Sequence, residues 1–332
     1  MRERPGGQDD QEPGAGDRLR TVRTDLAIEQ LLAREGGTRL AGVRVQTRRH
    51  GEVDVCHVEV LDEEGEQTVG KPKGHYVTLD AAGLRQRNTA VQELTARLLA
   101  DVLRELLKLG PKGKVFVVGL GNWHATPDAL GPKVVGELLV TRHLEGQVPA
   151  DLAGDLRSLA AMAPGVLGIT GIETGEIVRG VVDRVKPDVV IAVDALASRS
   201  IDRILRTIQV ADTGIQPGSG VGNHRAGLNR ESLGVPVVAV GVPTVVHAAT
   251  IASDTIDLLA ARMKDNPAYQ GLAAVTREER HRLMAEVLAS AVGELMVTPK
   301  EIDALVDDLA KVIAAGINAA VHPKIAQLPT LF

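Results

Sequence analysis

Cysteine and aromatic residues are almost absent from this sequence. Cys56 is the single cysteine among 332 residues, which excludes an intrachain disulfide framework and metal sites of the CxxC type. Aromatic residues make up 2% of the chain, so Val, Leu, Ile and Ala must form the core. A nucleic-acid surface of interleaved aromatic and basic residues is therefore not expected. The formal net charge of −5 also provides no attraction to a phosphate backbone.

Long apolar runs are missing as well. The sequence contains no run of the roughly 18 apolar residues that a membrane-spanning helix needs. Residues 1–20 are rich in glycine, proline and charge and have no apolar segment typical of a secretory signal. Such a composition buries too little apolar surface to order itself, so we expect a flexible tail there.

The rest of the chain has the composition of a globular protein, with 44% apolar residues. Alternating segments between Gly42 and Leu79 predict an antiparallel β portion, and apolar spacing predicts a helix from Arg87 to Leu109. Short apolar segments then alternate with helical stretches, which indicates a mostly parallel sheet with helices on both faces. The C-terminus is also predicted to be helical. No linker is found anywhere between residues 40 and 320, so a single α/β domain is expected. The four apolar segments predicted as strands are 114–121, 165–170, 188–195 and 236–243.

Two acidic residues follow predicted strands, at the edge where open α/β sheets form their sites. Asp194 ends the strand that begins at 188, and Asp128 follows the strand 114–121 after a short loop. A carboxylate in such a place is costly unless it is paired, hydrogen-bonded or chemically active. Each acid also has a structural interpretation, because Asp194 could cap a following helix and Asp128 could begin one. Two carboxylates close together could share a proton, one activating water while the other donates.

Other motifs give weaker signals. The segment 119–124 resembles a dinucleotide-binding loop, but His124 stands where the third glycine is needed. Asp212-Thr213-Gly214 matches a tripeptide of pepsin-like proteases, yet it occurs once and within a glycine-rich stretch, so a turn is the better interpretation. His247 lies among apolar residues and is expected to be a core histidine rather than a ligand. Cys56 is expected to be a small buried apolar side chain. No cofactor or metal ligand set is predicted.

Several long segments together resemble the germination protease family of spore-forming bacteria, endopeptidases that degrade small acid-soluble spore proteins. The similarity extends over most of residues 22–246, and segments of this length are far more specific than any tripeptide. The segments are VRTDLAIE (22–29), GLGNWHATPDALGP (119–132), VTRHL (140–144), APGVLGITGIET (163–174), KPDVVIAVDALASRSIDRI (186–204), IQVADTGIQPGSGVGN (208–223) and GVPVVAVGVPTVV (234–246).

The resemblance implies an atypical aspartic peptidase whose two essential acids match Asp128 and Asp194. It implies a twisted α/β fold like that of the hydrogenase maturation proteases, a phosphorylase/hydrolase-like architecture. It further implies a homotetramer in the cytoplasm of the forespore, the later spore core, with spore proteins as partners and no direct contact with DNA or membrane. Two alternatives stay open: metal-assisted hydrolysis by the same two acids, and a non-catalytic binder of spore proteins.

The segment VRTDLAIE has two interpretations. It could be the first turn of a helix, capped by Thr24 and with Ala27 and Ile28 facing inward. The resemblance implies instead a zymogen that cuts itself, because Thr24 to Glu29 has the form of the family's cleavage sites. We therefore predict cleavage between Asp25 and Leu26, with 1–25 a disordered propeptide and 26–332 a single peptidase domain.

Overall fold

The computed structural model describes residues 26, 27, 29, 41–147, 156–216, 227–263, 275–292 and 295–323. These residues belong to two compact units. The larger unit contains the described residues up to 247 and those from 296 onward, and the smaller one contains 248–295. The predicted propeptide, including Asp25, lies outside the described residues, so its boundary stays a prediction.

The larger unit is built on one mixed sheet. Its strand order is β1-β2-β3-β7-β8-β6-β4-β5, and β9 also pairs with β8. The strands that the structure describes are β1 (Val43–His50), β2 (Val53–Val60), β3 (Gly74–Asp80), β4 (Lys114–Gly119), β5 (Ser158–Met162), β6 (Val189–Ser198), β7 (Thr207–Ala211), β8 (Val237–His247) and β9 (Met296–Val297).

The two halves of the sheet differ in strand direction. Strands β5, β4, β6 and β8 are parallel, whereas β1, β2, β3, β7 and β8 pair antiparallel. The predicted α/β class, with a parallel core and an added antiparallel portion, is confirmed. The antiparallel share is larger than predicted, and the sheet is mixed rather than mostly parallel. Because the antiparallel strands join the parallel ones through the β7–β8 pair, both portions form one continuous sheet.

Helices cover both faces of the parallel strands. The predicted helix near residues 87–109 is confirmed as α2, which starts after Asn88, whose side chain accepts hydrogen bonds from Ala90 N and Val91 N. In the part of the chain that is described, no helix is both long and apolar enough to cross a bilayer. The helices are α1 (Glu63–Val69), α2 (Thr89–Leu107), α3 (Leu130–Gly136), α4 (Leu167–Thr170), α5 (Thr174–Val185), α6 (Arg230–Leu233), α7 (Ala248–Arg262), α8 (Arg277–Val292) and α9 (Ile302–Val321).

Strand β4 shows how the two faces are filled. Phe116 and Val118 point to one face and pack against Val178 and Val182 of α5. Side chains alternate along a strand, so Gly119 points to the other face. A Cβ atom at Gly119 would overlap the carbonyl oxygen of Gly131, which shows how closely α3 approaches the sheet.

Two predicted elements are wrong in detail. Residues 165–170 were expected to form a strand, but helix α4 lies there and the strand of this region is β5. Asp194 was expected at a strand end before a helix, but β6 continues through it to Ser198. The strand continues because Leu196 and Ala197 are buried and pair with β8, past an irregularity in register. Asp194 is therefore in mid-strand and caps no helix.

The smaller unit contains α7 and α8. Arg280 of α8 donates from Nε to Asp257 Oδ1 of α7 over 2.9 Å, which ties the two helices together. The sequence did not predict this separate unit, because no linker was recognised at its boundaries.

Asn318 connects α9 to the chain that follows α3. The Asn318 side chain, 7% exposed, accepts a hydrogen bond from Leu139 N over 2.9 Å and donates to Glu137 O over 3.4 Å. Replacing it with alanine should leave these backbone groups without those bonds, which costs about 1–3 kcal/mol. We expect Asn318→Ala to lower the free energy of unfolding by that amount in urea denaturation. The exposed Gln147→Ala is the control, and equal stability of the two variants would contradict the prediction.

Candidate active site

A cavity of about 600 Å³ opens beside the parallel strands of the larger unit. Both acids singled out from the sequence line it: Asp194 from β6 and Asp128 from the loop after β4. A backbone contact helps to place both acids at one cavity, because Leu120 N, directly after β4, donates to Val193 O over 2.8 Å. This bond holds the loop that carries Asp128 beside the part of β6 that carries Asp194.

Asp194 is nearly buried, with 6% of its surface exposed. Its Oδ1 accepts a hydrogen bond from Ala195 N over 2.9 Å, which orients the carboxylate. Across the sheet Asp194 pairs with Gly241 of β8. A Cβ atom at Gly241 would overlap the Leu196 side chain, so the glycine leaves room for Leu196 in the cavity wall.

Asp128 ends the 3₁₀ turn Thr126–Asp128, just before α3. The helix-start interpretation of this segment is therefore correct locally, and Asp128 faces the cavity as well. Its Oδ2 and its backbone oxygen both accept from Asn122 N, over 2.9 and 3.1 Å. Gly121 has a φ of +116°, and a Cβ there would overlap Asp128 O. The backbone geometry around Asp128 thus requires glycine at 121.

Tyr76 stands at another part of the cavity wall, together with Thr213. The Tyr76 hydroxyl donates to Pro72 O over 2.7 Å and accepts from the Thr213 hydroxyl over 3.1 Å. Burial raises the pKa of Tyr76 to about 12, so the phenol stays protonated at neutral pH. Asp212 and Thr213 form a turn in which Asp212 Oδ1 accepts from His75 N, which confirms the turn interpretation of this tripeptide.

The remaining candidates lie elsewhere. His124 is exposed, and His247 ends β8 opposite Met296. Neither lines the cavity. Cys56 is buried, as expected. Within the described residues, no three His, Cys, Asp or Glu side chains converge on a potential metal position.

One group of contacts beside the cavity was not predicted from the sequence. Ala27 N donates to Gln209 Oε1 over 2.7 Å, and Gln209 also lines the cavity. The Glu29 carboxylate accepts from the Ser198 hydroxyl over 2.9 Å and from Arg199 N over 2.8 Å. A polar Gln209 between the apolar Ile208 and Val210 of the strand TIQVA was the available signal.

A family model described as "Germination protease" matches residues 23–267 and 262–330. This chain belongs to the germination protease family. Curated germination proteases support the assignment over nearly the whole length of both chains. That of Caldanaerobacter subterraneus subsp. tengcongensis is 49% identical over 313 residues, covering 92% of this chain and 96% of the relative. That of Clostridium tetani is 46% identical, covering 91% and 96%. The Bacillus subtilis protein is 42% identical, covering 92% and 95%.

Membership in the germination protease family makes this chain a peptidase. Among solved structures, a NiFe hydrogenase maturation protease from Thermococcus kodakarensis is similar over 65% of this chain and 98% of that one. The identity is 20% and the TM-score 0.32, a likeness too low to support an argument about the site.

Proposed function

We propose that this chain is an aspartic-type endopeptidase that hydrolyses peptide bonds with Asp128 and Asp194. The observation that supports this proposal is that the two acids of a peptidase line one cavity, although they are far apart in sequence. Hydrogen bonds from Asn122 N and Ala195 N orient the two carboxylates. Water is the nucleophile, and no covalent intermediate forms.

The proposed reaction needs one ionised and one protonated carboxyl group. The ionised carboxylate takes a proton from water while the water oxygen bonds to the peptide carbonyl carbon. The protonated carboxyl donates its proton to the carbonyl oxygen, giving a neutral tetrahedral diol. When the C–N bond breaks, the leaving nitrogen takes a proton from the carboxyl that received one from water. One of the two diol hydroxyl protons passes to the other carboxylate and the second stays on the new carboxyl group of the product, so the pair is restored.

The proposed substrates are small acid-soluble spore proteins, cut during germination in the spore core by a homotetramer. Incubating the purified chain with such a protein and following the products by mass spectrometry tests the proposal directly. We expect defined fragments and many turnovers per enzyme molecule. Binding without cleavage would indicate the non-catalytic alternative. Loss of cleavage on adding a chelator, with recovery on adding metal, would indicate metal-assisted hydrolysis.

The same cavity is proposed to process the chain's own N-terminus between Asp25 and Leu26. Because an acidic side chain precedes the proposed cut, Asp25→Lys should slow processing at least about tenfold, within the range typical for a lost charged contact. N-terminal sequencing before and after mild acidification measures this, with Asp128→Asn as the inactive reference. A mature chain that starts at another residue, or normal processing of Asp25→Lys, would contradict the proposed site.

A further inference from the structure

The residues that follow the proposed cut are seated against the sheet beside the cavity. Leu26 and Ala27 are fully buried, and Glu29 is 5% exposed. Glu29 N donates to Leu26 O over 3.2 Å, so the segment makes a turn. The turn directs the first, second and fourth residues after residue 25 toward the protein.

Gln209 connects this segment to the candidate catalytic acids. It pairs with Gly241 across β7 and β8, and Gly241 pairs with Asp194 across β8 and β6. Residues paired across strands point to the same face, and two strand spacings separate the backbones of Gln209 and Asp194 by about 10 Å. The side chain that holds Ala27 N is therefore on the Asp194 face of the sheet, and it lines the same cavity.

Ala27 occupies a small apolar pocket. Two members of this pocket, Tyr76 and Ala211, also line the cavity, so the pocket and the cavity adjoin. A larger side chain in a closely packed pocket forces its neighbours to move, so the pocket favours alanine. The other buried members of the apolar cluster to which Ala27 belongs are Cys56, Val58, Val60, Val69, Tyr76 and Ala211.

The carboxylate of Glu29 lies among donors and positive charge. Besides the bonds from Ser198 and Arg199 N, Arg203 Nε lies 3.7 Å from Glu29 Oε1. Arg203 and Arg206 also pair with Asp80, over 3.4 and 2.6 Å. Glu29 therefore lies in an anion site that includes the Ser198 hydroxyl, Arg199 N and Arg203, and hydrogen bonds to a charged group are the strong ones.

We propose that this surface is the groove for the substrate residues that follow the scissile bond. Gln209 binds the N–H of the second residue, the apolar pocket around Ala27 accepts alanine there, and Ser198, Arg199 N and Arg203 bind an acidic fourth residue. The inference rests on the proposed peptidase function and specifies which residues determine its selectivity. In this chain Leu26, Ala27 and Glu29 occupy the groove themselves, so a substrate must displace them.

A peptide series tests the groove without altering the protein. The parent peptide copies residues 20–33 of this chain, and the purified full chain, with its N-terminus sequenced beforehand, is the enzyme. Replacing the peptide's fourth residue after the cut, Glu→Gln, should lower kcat/KM by about 10- to 100-fold, the usual effect of losing charged hydrogen bonds. A matched control moves the acid one residue onward, with Gln at position four and Glu at position five. We expect this control to be cleaved as poorly as the Gln peptide.

Two enzyme variants test whether Arg203 causes the preference for Glu at the fourth position. In Arg203→Gln, the ratio of kcat/KM for the Glu peptide to kcat/KM for the Gln peptide should fall toward one. The variant has lost the charge that faces the fourth residue. In Arg206→Gln, which pairs with Asp80 and not with Glu29 among the described contacts, the preference should persist. Equal cleavage of Glu and Gln peptides by the unaltered chain would overturn the groove and leave the peptidase function standing. Failure to cleave any peptide or spore protein would overturn the proposed function itself. If Arg203→Gln does not fold, the peptide series decides alone.

Discussion

The Asp194→Asn variant is expected to cleave spore protein about a thousandfold more slowly than the unaltered chain, and Asp128→Asn equally so. Removing a general acid or base costs about 10²- to 10⁴-fold in rate. Each replacement keeps the shape of the side chain, so the hydrogen bonds from Ala195 N and Asn122 N to the remaining oxygen persist. The measurement is the initial rate of cleavage of purified spore protein, with circular dichroism to verify folding.

The double variant should not lose a further thousandfold in rate relative to either single variant. Residues that act as one unit show non-additive losses, because removing the first partner already disables the second. Asp183→Asn, an exposed acid on α5, is the matched control and should retain the full rate. Normal cleavage by both single variants would exclude the proposed chemistry.

Gly121→Ala is expected to lose both activity and stability. A Cβ atom at this position would overlap Asp128 O, and a φ of +116° is strained for any residue other than glycine. The strain should lower the free energy of unfolding by about 2–3 kcal/mol. Relief of the overlap must shift the Asp128 loop, and a displacement of about 1 Å can reduce the rate about 100-fold.

Gly136→Ala is the matched control for this variant. Gly136 ends α3, and a Cβ atom there would meet no other atom within 4 Å. Its unfolding free energy should stay within about 0.5 kcal/mol of the unaltered chain, with an unchanged rate. The decisive comparison is urea unfolding together with the cleavage rate of the folded fraction. A fully active Gly121→Ala would show that the position of Asp128 does not depend on this glycine.

The candidate site was partly predictable because its chemistry is local. Asp128 and Asp194 each stand out as an acid after an apolar segment, and that contrast is visible without any knowledge of the fold. The prediction that Asp194 ends its strand was wrong, because the pattern of Ala195 to Ser198 suits a helix as well as a strand. Pairing with β8 makes these residues a strand. A short apolar segment does not reveal in its own sequence which strand it pairs with.

Gln209, Arg203 and Glu29 were not predicted as a group for a related reason. Each is unremarkable in its own segment, and Glu29 is 169 residues from Ser198, whose hydroxyl it binds. Contacts of this kind depend on which strands lie side by side. In this sheet β7 inserts between β3 and β8, an order that local periodicity does not contain.

The sequence by itself determined the α/β class and the family, and it singled out Asp128 and Asp194 as candidates, since composition, periodicity and long motifs are properties of neighbouring residues. Only the tertiary structure decided that Asp128 and Asp194 line one cavity and that Leu26, Ala27 and Glu29 lie beside it. It did so through sheet order and register, which bring distant segments together. The physical reason is that burial and hydrogen bonding are satisfied by the fold as a whole, and no single segment specifies its partner.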